Sequence, residues 1–193
     1  MISMGIYSNI LKYKKLNTVD KLSKWMNENI KYTYATVDGE VSEDFDRMYP
    51  DYKLQSPDEC FESKVGVCWD QAIFEQYIFD NILHKKCKLY YIIQRDNVAE
   101  QTHTFIFYKD KGKTYYFENS FENIRGIYEV KDMNDTFDFI IEKMRELQEK
   151  DKGVEVYEVN KSIEKFTNGF TEKTDIVSFM NFCESCKLIY YKK

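Results

Sequence analysis

The chain has 193 residues, 43% of them hydrophobic and 17% aromatic, with a formal net charge of −5. This is the composition of a folded protein with one well-buried core, too short for two ordinary domains, and it excludes a disordered chain. Acids and bases are interspersed, so no basic stripe points to nucleic acid, and no apolar run reaches membrane-span length.

Lys12-Tyr13-Lys14-Lys15 and the terminal Lys192-Lys193 read as solvated ends. Val19, Leu22, Trp25, Met26 and Ile30 fall at helical spacing, with Thr18 or Asn17 as cap. Residues 36–50 are polar and acidic and read as a surface loop. Ser56-Pro57-Asp58-Glu59 is a capping-box signature with proline at the first helical position, so a short helix is expected through Phe61 to Lys64. Gly66 breaks it. A second helix is expected from near Cys68 to about Leu83, with a broad buried face built on Ala72, Ile73, Tyr77, Ile78 and Ile82.

The next stretch is strand-like. Lys88 to Ile93, Thr102 to Tyr108 and Thr114 to Phe117 are rich in aromatic and β-branched residues, and Lys109-Asp110-Lys111-Gly112 signals a hairpin between the last two. Ile127 to Val130 adds a possible strand. Phe137, Ile140, Ile141, Met144 and Leu147 mark an amphipathic helix. A strand at Val154 to Val159, a helix at Asp175 to Cys183 and a strand at Leu188 to Tyr191 complete the pattern. Helices followed by a strand meander predict an α+β fold with an antiparallel sheet, as one domain over residues 1–193.

Three residues along this path form a chemical set. Cys68 opens a helix, His103 lies on a strand and Glu118 lies on the next strand. Cysteine supplies an attacking sulfur, histidine holds and moves the proton, and an acid orients the histidine. A helix N-terminus favours a sulfur anion through its unpaired N–H groups, and the Cys68 N–H is a candidate oxyanion donor. Gln55, in the preceding segment, is a candidate second donor by residue type. Of the two histidines, His84 lies 16 positions beyond Cys68, about 24 Å along a continuous helix, and is out of reach. The hairpin leaves the third member open. A turn of Asp110-Lys111 sets His103 opposite Glu118; a turn of Asp110-Lys111-Gly112 sets it opposite Asn119, and either side chain can orient an imidazole.

Ser56-Pro57-Asp58-Glu59, Gly66-Val67-Cys68-Trp69-Asp70-Gln71-Ala72, His103-Thr104-Phe105 and Tyr116-Phe117-Glu118, in this order and spacing, resemble the transglutaminase-like superfamily of papain-like cysteine enzymes. The likeness spans 56–121, leaving 122–193 as the C-terminal part of the same domain. It implies a papain-like core with the nucleophile Cys68 at the N-terminus of a buried helix packed on an antiparallel sheet. The implied site is Cys68, His103 and Glu118, with Glu118 standing where the family has Asp. The implied chemistry is acyl transfer on amide bonds through a thioester, as a cysteine peptidase or amidase; protein-glutamine transamidation or deamidation, or a non-catalytic interaction domain, are the alternatives. No metal or cofactor is needed, and a peptide or protein substrate is expected. The lone Cys183-Glu184-Ser185-Cys186 pair lacks the further ligands of a zinc site. Five cysteines without framework spacing, and no secretory signal in Met1 to Gly5, lead to the expectation of a reduced, cytoplasmic setting.

Overall fold

The computed structural model describes residues 11–95, 100–147, 153–161 and 176–193. Helix α1 (Val19–Asn29) starts where Thr18 accepts a hydrogen bond from the Lys21 N–H at 3.2 Å, and it buries Leu22, Trp25 and Met26. Just before it, the expectation of a solvated lysine run is corrected. Tyr13 is fully buried, edge-on to Phe61 at 4.9 Å, with its hydroxyl on Asp58. Lys12 pairs with Asp58 at 2.8 Å and with Glu62 at 2.9 Å.

The expected loop at 36–50 carries some regular structure. Strands β1 (Tyr34–Ala35) and β2 (Val41–Ser42) pair antiparallel, the turn between them using Gly39 at φ +82°, and a single helical turn, α2 (Met48–Asp51), follows. Helix α3 (Pro57–Ser63) has the complete capping box. The Ser56 hydroxyl accepts from the Glu59 N–H at 3.3 Å, and the Glu59 carboxylate accepts from the Ser56 N–H at 2.8 Å. Helix α4 (Cys68–Asn81) begins five residues later.

Six antiparallel strands form the central sheet, in the order β6-β5-β4-β3-β7-β8. They are β3 (Cys87–Arg95), β4 (Glu100–Asp110), β5 (Lys113–Glu118), β6 (Gly126–Val130), β7 (Val154–Val159) and β8 (Lys187–Lys192). Helices α5 (Met133–Leu147) and α6 (Ile176–Glu184) complete the described elements. The fold is α+β.

The alternation of strand side chains divides the apolar interior in two. Leu89, Tyr91, Ile93, Ile106 and Phe117 pack with Ile73, Ile78 and Phe79 of α4. Their neighbours Tyr90, Ile92, Phe105 and Phe107 pack with Phe137, Ile140, Ile141 and Met144 of α5. Each such buried side chain contributes about 1.5–3 kcal/mol.

The β4–β5 turn differs from both sequence alternatives. Lys111 and Gly112 take φ of 47° and 83°, so the two-residue turn lies one step later, and Asp110 pairs with Lys113 and Lys109 with Thr114. Two positive φ values match the twist of the flanking strands. Extending this register sets Glu118 beside Phe105, so His103 is directly opposite neither Glu118 nor Asn119. Glu118 and His103 are diagonal neighbours on one face.

Candidate active site

The start of α4 is built by an acid one turn in. Asp70 accepts from the Val67 N–H at 3.0 Å, the Gln55 N–H at 2.9 Å and the Tyr52 hydroxyl at 2.8 Å. It thereby ties the 52–55 segment to the loop that delivers Cys68. Burial pushes this carboxyl up to about 7 against those three donors. Gly66 is required by the same packing, since a Cβ there would lie 2.9 Å from the Asp70 Cβ. The Gln71 amide donates to the Gly66 carbonyl at 2.8 Å, so the loop is held on both sides. Glycine, cysteine and aspartate at alternate positions thus form one structural device.

His103 meets this loop at a gap in the sheet. The β4–β5 ladder ends at Ile106 and Phe117, leaving the first part of β4 flanked only by β3. There the His103 Nε2 lies 2.7 Å from Glu118 Oε2. The ring stacks on Phe105 at 5.6 Å and meets the edge of Phe121 at 5.7 Å, which fixes its plane. Cys68, the first residue of α4, is 5% exposed and brings its thiol to the imidazole. Burial lowers the His103 pKa, but the Glu118 carboxylate and the Cys68 side chain on its two sides carry it up to about 10.

Glu118 is as fully engaged as a carboxylate can be. Besides the imidazole it accepts from the Tyr116 hydroxyl, the Ser120 hydroxyl at 3.0 Å and the Phe121 N–H at 2.8 Å. Burial works against its charge, yet His103 and these donors hold it below the usual carboxylate range.

The structure therefore pairs His103 with Glu118 and sets Cys68 near the imidazole. Asn119, the alternative orienting residue, turns away, and its amide donates to Gln71 Oε1 at 2.9 Å. Gln55 is also elsewhere. Its amide nitrogen donates to the Val65 carbonyl at 2.9 Å, its oxygen accepts from Ser63 at 2.7 Å, and it lines neither cavity beside Cys68 and His103. His84 sits past the end of α4 at φ 52°.

Two residues unforeseen in the sequence complete the surroundings. Tyr32 is 43% exposed and lines the cavity beside Cys68. Burial and the Cys68 sulfur push that phenol well above its ordinary value. Glu75, two turns along α4 from Cys68, is 2% exposed. Burial and the nearby Glu118 push its carboxyl well above the usual range, with His103 opposing. An acid inside an apolar helical face was the available signal for Glu75; Tyr32 had none, because only the tertiary fold carries it to the thiol.

Two cavities flank this point and share Tyr32 and Thr102. One, of about 210 Å³, is lined by Cys68 with Val67, Trp69, Phe45 and Met48. The other, of about 400 Å³, is lined by His103 with Gln101, Ser120, Phe121, Glu122 and Arg125 among others. A model of a transglutaminase-like domain matches residues 4–120.

The chain belongs to this transglutaminase-like family. The matched span holds Cys68, His103 and Glu118. No curated protein and no solved structure matches the chain. All five cysteines of this transglutaminase-like chain are free, and Cys183 and Cys186 flank the end of α6. Among the described residues no group of three or more His, Cys, Asp or Glu could hold a metal ion, and no helix is long and apolar enough to cross a membrane.

Proposed function

We propose that this chain is a thiol-dependent acyl transferase acting on amide bonds of a peptide or protein, most simply a cysteine peptidase or amidase, with residues 1–193 as one domain. The observation that carries this reading is the buried His103–Glu118 pair at 2.7 Å, with Cys68 at the start of α4 near enough to raise that imidazole's affinity for a proton. The Cys68 sulfur attacks the substrate carbonyl carbon as its thiolate, and the carbonyl oxygen becomes an oxyanion. The Cys68 N–H faces that oxygen, with the Tyr32 hydroxyl as the second donor in reach. The C–N bond then breaks and His103 gives its proton to the departing amine, leaving a thioester. Water, losing a proton to His103, attacks the thioester and releases the acid and the free thiol. Glu118 keeps the ring in one tautomer and orientation throughout. Transamidation differs only in the second step, where an amine replaces water.

Alkylation tests the nucleophile. Iodoacetamide at about pH 6 should label Cys68 far faster than the other four cysteines. Mass spectrometry should find an acyl adduct on Cys68 with an activated amide substrate, and none in Cys68→Ala. Uniform labelling of all five thiols, with no adduct, would leave a non-catalytic interaction domain as the better reading. Supplying a primary amine separates hydrolysis from transamidation by the product formed.

A further inference from the structure

We propose that the larger cavity holds the leaving-amine part of the substrate and recognises a free carboxylate on it through Arg125, so that the preferred bond lies close to a peptide C-terminus. This rests on the acyl-transfer reading for the side assignment alone. In that chemistry the proton for the departing nitrogen comes from His103. The amine portion must therefore lie on the His103 side, in the cavity of about 400 Å³, a volume suited to a small polar group of one or two residues. The acyl portion then faces the smaller cavity beside Cys68, whose walls include Phe45, Met48, Val67 and Trp69.

Arg125 is the lysine or arginine that lines the larger cavity among the described residues. Its Nε donates to the Asn119 carbonyl at 2.6 Å, and no carboxylate lies within ion-pair distance among the described residues. The other guanidinium N–H groups, four of five, are thus available, in the planar fork that fits a carboxylate through two parallel bonds. The anchor is firm, because the Asn119 side chain is itself bound to Gln71 on α4. Gln101 lines the same cavity, and its amide nitrogen donates to the Met144 carbonyl at 3.3 Å. Glu122 is exposed at the rim of the same cavity and does not pair with Arg125. The step stays balanced: the Sγ–C bond forms, the C–N bond breaks, and the nitrogen leaves as the amine of a carboxylate-bearing residue.

Binding tests this without requiring turnover. The dipeptide Ala-Phe and its C-terminal amide are titrated into the full chain by calorimetry or NMR. The free acid should bind at least tenfold more tightly than the amide, and Arg125→Gln should erase that ratio, while Glu122→Gln should leave its direction intact. Equal affinity, tighter binding of the amide, a preference that survives Arg125→Gln, or no binding of either at millimolar concentration would each overturn the inference. A carboxylate preference without any thioester would instead defeat the catalytic reading alone. With turnover, acetylated tripeptides ending in a free carboxylate should be cleaved faster than their C-terminal amides, a gap that collapses in Arg125→Gln.

Discussion

Helices α4 and α5 pack on opposite faces of one sheet and are built on different rules. α5 is amphipathic. Phe137, Ile140, Ile141 and Met144 are buried in one stripe, and Asp135, Glu142 and Glu146 face water. α4 is enclosed on nearly every side, and its buried residues include Asp70, Gln71 and Glu75 as well as its apolar ones. A helix with one wet side can discard its polar residues into solvent. An enclosed one must find partners for each or bear the cost of burying them, about 1–3 kcal/mol for an unmatched group. Polar side chains inside α4 therefore mark positions where something other than packing is at stake, whereas the apolar stripe of α5 speaks for packing alone.

Substitutions can break or sharpen that contrast. On the α4 face, His103→Ala should lower activity by about 10³- to 10⁴-fold with a folded protein by circular dichroism. A fold-intact variant with near-normal turnover would remove the chemical half of the comparison. On the α5 face, Phe137→Ala should cost about 3–5 kcal/mol in urea unfolding, with specific activity per folded molecule retained. Asp70→Asn should cost about 1–3 kcal/mol, because the amide presents a donor to the Val67 or Gln55 N–H where an acceptor is needed. Activity should fall with it as the Cys68 loop loosens. A pH effect is expected from His103. Its folded pKa lies near 10, against an ordinary 6.5, so the stability it contributes is complete below 6.5, declines as pH rises, and is gone above about 10. The alkaline fall in melting temperature should be shallower in His103→Ala; an unchanged slope would show that the imidazole is not so paired. Smallest of all, Glu142→Ala on the wet side of α5 should change stability by no more than about 0.5 kcal/mol.

Much of this architecture is legible in the chain itself, for reasons that can be named. Ser56 and Glu59 act on neighbours three positions away, so their capping box needs no tertiary information. The stripe on α5 and the strand runs repeat with their own periods. Cys68, His103 and Glu118 stand out because few residue types can do their work. The β4–β5 register does not, because a lysine in the left-handed region at Lys111 is an uncommon choice for the first turn position. One step there decides which residue faces which. Tyr32, Gln101 and Arg125 carry no local signature. Each becomes interesting only when the sheet, the α4 loop and the turn at Glu122–Ile124 bring distant segments around the same space. Tyr13 is hidden among lysines, of which Lys12 is paired with Asp58 and Glu62 of α3.

The strand order has a consequence for where the folding unit ends. The family match stops at residue 120, just past β5, yet β3 is flanked on its far side by β7, and β5 by β6. A polypeptide cut at that boundary would hold Cys68, His103 and Glu118 and still bare two rows of unpaired main-chain groups, inviting association with other copies of itself. The family-matched segment and the paired sheet are different lengths of chain, and biosynthesis must run past residue 154 before the histidine strand's partner is covered on both sides.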